Sequence, residues 1–236
     1  LPAVERLLAA RALPDLRNAI GVSALMCAAM RGHTDVIKVL LTAKASPNLI
    51  TKDGRTALCY AAASARMPDV QLLLNAGAKP DLPRVIPSAL FEAVHRGHAG
   101  IVEQLIAAKA SMSAAAGVNT PLMAAIMNEA TEVVRVLINA RAHLEKRGPS
   151  TDAALLLAAR DGNAEIVSLL VGAKASLDVT DTFGGSSLER AVQFGHVAVV
   201  QVLLDASASL DTKSGTVVHT AAQDGHAEVL KLLISR

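Results

Sequence analysis

The chain has almost no aromatic side chains. Tryptophan is absent, tyrosine occurs once and phenylalanine three times, so aromatics make up 2% of the 236 residues although 52% are hydrophobic. A core without large rings must be built from Ala, Leu and Val. Such small side chains suit closely spaced helices better than one wide globular core. Long apolar runs are also missing. The longest are short, such as "AALLLAA" at 153–159, far below the roughly 18–20 residues that span a bilayer. Cysteine is scarce: Cys27 and Cys59 form no CxxC pair and give no disulfide framework. Excess charge is missing as well. A net charge of +2 is too small to argue for nucleic acid or an anionic membrane as partner. No signal peptide is visible. The chain opens on Leu1 rather than Met, and "LKLLISR" at 230–236 reads as the inside of a last helix. Both ends therefore read as cut, without the polar capping unit a repeat array needs. The expected setting is intracellular, cytoplasmic first, with an organelle left open because the true N-terminus is expected to lie elsewhere.

What the chain has instead is recurrence. "LLTAKASPN" at 40–48 returns as "LIAAKASMS" at 105–113 and "LLVGAKASLD" at 169–178, with variants "LINARAHLE" at 137–145 and "LLDASASLD" at 203–211. The first Ala of this phrase, or its equivalent, falls at Ala43, Ala76, Ala108, Ala140, Ala173 and Ala206, at spacings of 33, 32, 32, 33 and 33 residues. A second landmark keeps the same beat at Leu25, Leu58, Leu90, Leu122, Leu155, Leu188 and Val218. A third is a Gly-His pair at 32–33, 97–98, 195–196 and 225–226, replaced by Gly162-Asn163 and Glu129-Ala130 elsewhere. Each unit reads as a short helix, a glycine turn, a longer helix with apolar residues at helical spacing and an irregular loop. Units of this kind bury their faces only against their neighbours, which makes a solenoid.

The period, together with "NTPLMAAIMNEATEVVRVLINARA" at 119–142, resembles the ankyrin repeat. Its Thr-Pro-Leu-His tetrad is matched most closely by Thr120-Pro121-Leu122-Met123, and also by Thr56-Ala57-Leu58-Cys59 and Thr216-Val217-Val218-His219. The resemblance covers nearly the whole chain and implies an all-α solenoid of helix–turn–helix units with β-turn-like finger loops. Seven units are placed at 18–50, 51–82, 83–114, 115–145, 146–178, 179–211 and 212–236, the last truncated. Residues 1–17 read as the second helix of a further, partial unit. Two irregularities are expected. "AAASARMPDV" at 61–70 reads as carrying one extra residue, with Pro68 at a helix start. The loop "SASLDTKSGT" at 207–216 is three residues short of the period and predicts a shortened finger.

No nucleophile elbow, HExxH, phosphate loop or dinucleotide fingerprint is present. "FGGSS" at 183–187 has no strand before it and reads as a finger turn. Histidines in the Gly-His slot would repeat about 10 Å apart along a solenoid, rather than converge on a metal. A turn-bracing hydrogen bond suits them better. His219 sits in the tetrad and is expected to be structural. Cys27 falls on the first helix without a neighbouring base, and Cys59 is expected to be buried. Neither catalytic, metal nor cofactor residues are expected, and the chain reads as no enzyme.

Binding is therefore the expected role. If the resemblance holds, first helices and fingers line a concave face that grips a protein partner. Apolar and aromatic residues at finger positions, together with Arg, suit such contacts. The candidates are Ile20, Val22, Arg31, Arg55, Tyr60, Arg84, Val85, Ile86, Arg96, Met127, Arg160, Phe183 and Phe194. The alternatives are a structural subunit of a large multiprotein assembly and a targeting domain of a longer catalytic protein. One slot departs from the family. Just past each second helix, where Gly is favoured, stand Lys44, Gly77, Lys109, Arg141, Lys174 and Ser207. A left-handed cation costs on the order of 1 kcal/mol and recovers about 0.3–1 kcal/mol from the helix C-terminus. Lys44, Lys109, Arg141 and Lys174 thus define either a tolerated irregularity or a basic edge that meets an acidic partner or lipid headgroups.

Overall fold

A computed structural model describes residues 1–82, 88–113, 119–145, 153–212 and 215–235. It contains fifteen α-helices among these residues and one pair of two-residue strands. The chain divides into two compact halves, Leu1–Met112 and Ser113–Arg236. In the first half α1 (Pro2–Ala9) is followed by the helix pairs α2 (Ala24–Arg31) with α3 (Thr34–Thr42), α4 (Ala57–Ala63) with α5 (Met67–Asn75), and α6 (Ala89–His95) with α7 (Ala99–Ala107). In the second half the pairs are α8 (Pro121–Met127) with α9 (Thr131–Asn139), α10 (Ala154–Asp161) with α11 (Ala164–Gly172), α12 (Ser187–Gln193) with α13 (Val197–Asp205), and α14 (Val217–Gln223) with α15 (Ala227–Ile234). Within each half, first helices pack in one row and second helices in another.

Local sequence explains where most first helices begin. First helices start at Ser23, Thr56, Ser88, Thr120 and Ser186, whose hydroxyls accept the backbone N–H three residues on at 3.1–3.3 Å. That is the usual solution for the orphan donors of a helix start. They end one or two residues before a left-handed position, occupied by Gly32, Ala65, Gly97, Glu129, Gly162, Gly195 and Gly225. The predicted insertion at 61–70 is not there. Ala65 takes the left-handed position at φ 58° and Arg66 takes the N-cap of α5, so Arg66 follows Leu58 at the same distance in sequence as the N-caps His33 and His98 follow Leu25 and Leu90. The slot went unrecognised because neither residue resembles Gly-His. Pro68 does stand in the first turn of α5.

The core repeats with the sequence. Leu40, Leu73 and Leu105 in the first half, and Leu137, Leu170, Leu203 and Leu233 in the second, are all buried at one position of the second helix. Burying a Leu contributes about 1.5–3 kcal/mol, so this stripe is a main source of stacking energy. One position breaks the pattern. Where Ile101, Val133, Ile166, Val199 and Val229 are buried, α5 carries Asp69 at 0% exposure.

Side chains also bond one repeat to the next. In the first half Asp15 Oδ1 accepts the N–H of Ser46 at 2.8 Å, Asn48 Oδ1 that of Lys79 at 2.8 Å, and Asp81 Oδ2 that of Ser111 at 2.7 Å. In the second half Glu145 Oε1 accepts from Ser176 at 2.9 Å. The histidines do the same elsewhere: Nε2 of His196 donates to the Arg160 carbonyl and Nε2 of His226 to the Gln193 carbonyl, each at 2.9 Å. They brace the preceding repeat rather than their own turn. The shortened loop closes as an antiparallel pair, β1 (Asp211–Thr212) against β2 (Gly215–Thr216). In the last repeat the landmark Val218 is 37% exposed and His219 is exposed, unlike their buried counterparts.

Candidate partner-binding face

The fingers are tight turns closed by their first residue. Asn18 Oδ1 accepts the N–H groups of Ile20 and Val22 at 3.1 and 2.9 Å, and Thr51 Oγ1 that of Arg55 at 2.8 Å. Neighbouring fingers are joined by the Lys52 N–H donating to the Ile20 carbonyl at 3.1 Å. Ile20 itself is 61% exposed, but Val22 is only 8% exposed. Val22 therefore belongs to the core and not to a binding surface. It directly precedes the N-cap Ser23, where the chain has already turned inward. The same position holds Arg55 in the next repeat.

Arg55 is part of a charged cluster in the first half. Its Nη2 lies 3.0 Å from Glu92 Oε1 on α6, and Arg96 Nε lies 3.8 Å from the other oxygen of the same carboxylate. Glu92 is buried while Arg96 is exposed. The Arg55 guanidinium sits 5.9 Å from the centre of the Tyr60 ring and its Nε is 3.7 Å from Asp53. Partial burial, then the Asp53 charge, pushes the Tyr60 hydroxyl above its ordinary value. Arg31 is exposed at the end of α2 beside Met30, which is 43% exposed. Arg84, Val85 and Ile86 lie outside the described residues.

In the second half Met127 is 53% exposed, and its sulfur accepts from Asn119 Nδ2 at 3.3 Å. Arg160 pairs with Asp161 at 3.0 Å. Phe194 is 49% exposed and stacks on the His196 ring, with centroids 6.1 Å apart. Phe183 is 89% exposed at a finger tip. That finger is firmly held. Asp181 Oδ1 accepts from Phe183 and Gly185 at 2.8 and 2.9 Å, and Asp181 Oδ2 takes both Nε, at 2.6 Å, and Nη2 of Arg190. Burial works against the Asp181 carboxylate. The donors Gly185, Arg190 and Phe183 outweigh it and hold the group below the usual carboxylate range. A lowered value means that stability gained above about pH 4 disappears as the pH falls through the folded-state value. Asp181→Asn should therefore cost about 1–3 kcal/mol at pH 7, with the deficit shrinking as the pH falls below about 4. Urea unfolding at neutral and at acid pH checks this; a constant deficit would contradict it.

Glu92 and Arg190 escaped the sequence reading, yet a signal existed. Both stand two residues after the Leu landmark, where the chain carries Cys27, Tyr60, Glu92, Ala124, Leu157, Arg190 and Thr220. A position that differs in every repeat of a regular array is not set by stacking. The basic slot is as expected in backbone: Lys44, Lys109, Arg141 and Lys174 have φ of 63°, 65°, 61° and 63°, and all four side chains are exposed. Arg11 at φ 64° belongs to the same series.

Among the described residues no group of three or more His, Cys, Asp or Glu could hold a metal ion. No described helix is long and apolar enough to cross a membrane. Cys59 is buried, and that burial, more than its contacts with Thr56, sets its thiol above the ordinary value; Cys27 is half-buried.

Comparison with known proteins agrees with this architecture. A family model described as ankyrin repeats, three copies, matches residues 1–84, 86–148, 139–214 and 155–236. The crystal structure of the human ASB11 ankyrin repeat domain is similar at a TM-score of 0.76 and 31% identity, over 87% of this chain and 92% of that one. No curated protein matches. Ankyrin repeats are in general protein–protein interaction modules, and the fold is typically non-catalytic. With matches over both halves and the helix pairs to go with them, the chain belongs to the ankyrin-repeat family.

Proposed function

We propose that this chain is a non-catalytic recognition module that grips a protein partner through its finger loops and the row of first helices. The repeats that carry it are divided at 18–50, 51–82, 83–114, 115–145, 146–178, 179–211 and 212–236, after a partial repeat at 1–17. The observation that supports the reading most is Phe183. A phenylalanine at 89% exposure on a finger tip offers a partner a large, stiff apolar anchor. Here the finger beneath it is fixed by Asp181 and Arg190, so little flexibility is lost when it docks. Phe194 offers a second ring, and Ile20, Arg31, Arg55, Tyr60, Arg96, Met127 and Arg160 offer the mixture of apolar and guanidinium groups common in binding hot spots.

The test is recovery of partners by tagged protein from a lysate of its source. Phe183→Ala with Phe194→Ala should reduce recovery of the main partner at least about tenfold, since aromatic anchors carry about 2 kcal/mol or more each. Undiminished recovery would remove this face and favour a structural subunit held elsewhere.

A further inference from the structure

We propose that the corner following the second helices of the first half is a second binding surface, built for an extended acidic protein segment with a carboxylate at every third residue. The corner presents a cation in each repeat. Arg11, Lys44 and Lys109 follow the C-cap residues of α1, α3 and α7, each with left-handed backbone at φ 64°, 63° and 65°. The repeat that uses Gly77 at this position has Lys79 two residues later, so the charge is kept where the slot itself is neutral. All four side chains are exposed, and none forms an ion pair among the described residues. The acidic groups of the same corner are engaged: Asp15 and Asp81 each hold the backbone N–H of the next repeat. The chain thus accepts left-handed Lys and Arg where Gly is easier, while Asp15 and Asp81 are turned to backbone N–H groups.

Spacing selects the partner. The cations stand at the ends of α1, α3, α5 and α7, which pack side by side, at the roughly 8–10 Å of packed helices. A polyproline-type segment repeats its face every three residues, with a rise of about 3.1 Å per residue and so about 9.3 Å per turn. Acidic residues at i, i+3 and i+6 would meet successive repeats without distortion. An anionic bilayer is less well matched. The net charge of +2 gives little long-range attraction to it, and its headgroups impose no register.

The probe is a fluorescein-labelled peptide of five Glu-Pro-Pro triplets, compared by anisotropy with a peptide of identical composition whose Glu residues are contiguous. The register peptide should bind at least about threefold tighter than the clustered one at about 0.01 M ionic strength, and binding should weaken strongly toward about 0.15 M. A variant with Arg11→Gly, Lys44→Gly, Lys79→Gln and Lys109→Gly should lose about tenfold in affinity. Gly suits the left-handed positions, so this variant should keep its circular dichroism and thermal midpoint. Unaltered binding by it would overturn the proposal, as would equal affinity for the two peptides. Tight binding to vesicles containing phosphatidylserine, without preference between the peptides, would overturn it in favour of a lipid surface. The Phe183→Ala, Phe194→Ala protein should bind the register peptide like wild type. If that variant alone loses the peptide, the site lies on the finger face and the corner is excluded. Failure of the finger-face reading would leave the peptide result untouched.

Discussion

Gly195→Ala should lower stability by about 1.5–3.5 kcal/mol, more than the same change at a glycine turn with open space around its Cβ position. Two costs combine. The backbone there has φ of 72°, which an L side chain adopts at roughly 1–2 kcal/mol. The added Cβ would also stand 2.6 Å from His226 Nδ1 and 2.7 Å from Cε1. That ring is held by its bond to the Gln193 carbonyl, so it must give up a hydrogen bond of about 0.5–1.5 kcal/mol to make room. Gly225 is the control. It has φ of 75° but nothing within 4 Å of its Cβ position, so Gly225→Ala should show the backbone cost alone. Urea unfolding of both variants separates the terms. Equal losses would mean that the histidine brace between repeats contributes nothing. Gly162, facing His196 at 2.6 Å, should behave like Gly195.

Asp69→Val should move stability the other way, by about 1–3 kcal/mol. Asp69 is fully buried at a position where most other repeats bury Val or Ile. One carboxyl oxygen accepts from Thr34 Oγ1 at 2.6 Å, and the other has no hydrogen-bond partner among the described residues. A carboxyl group taken from water and half satisfied is a net cost. Valine restores the apolar stripe, and Thr34 is accessible enough to turn its hydroxyl to solvent. A lower urea midpoint than wild type would show that the carboxylate is worth more to the fold than its visible bond. If the midpoint rises and partner recovery falls, Asp69 is a concession of stability to function.

The helices could be read from the sequence because stacking repeats itself. A Leu that must fill the same hole in every layer returns at every period, and a left-handed turn returns with its Gly. What could not be read lies where one repeat solves the common problem with an uncommon residue. Ala65 and Arg66 stand for Gly-His, with the Arg66 guanidinium against Gly32 where a histidine ring lies elsewhere, so the repeat seemed lengthened when it is not. Val22 and Arg55 share one position, and only the structure tells which is core and which is surface: burial there depends on the side chain and not on the turn. Phe183 was legible, because a Gly-Gly turn leaves the residue before it nowhere to hide. The clasp beneath it was not, since Asp181 and Arg190 lie nine residues apart with no periodic signal to join them.

The bonds from Asp15, Asn48, Asp81 and Glu145 to the next repeat all end on a backbone N–H. Every residue except proline has that group, so the joint makes almost no demand on its recipient. Ser46, Lys79, Ser111 and Ser176 serve equally. A coupling of this kind is generic: any repeat can follow any other without a matched pair of side chains having to arise at the seam. Duplication or loss of a whole repeat by recombination would leave the joints intact, while the position that carries Tyr60, Glu92 or Arg190 drifts freely. The array can change length and recognition independently at these joints, because the bond across them asks its recipient only for a backbone N–H.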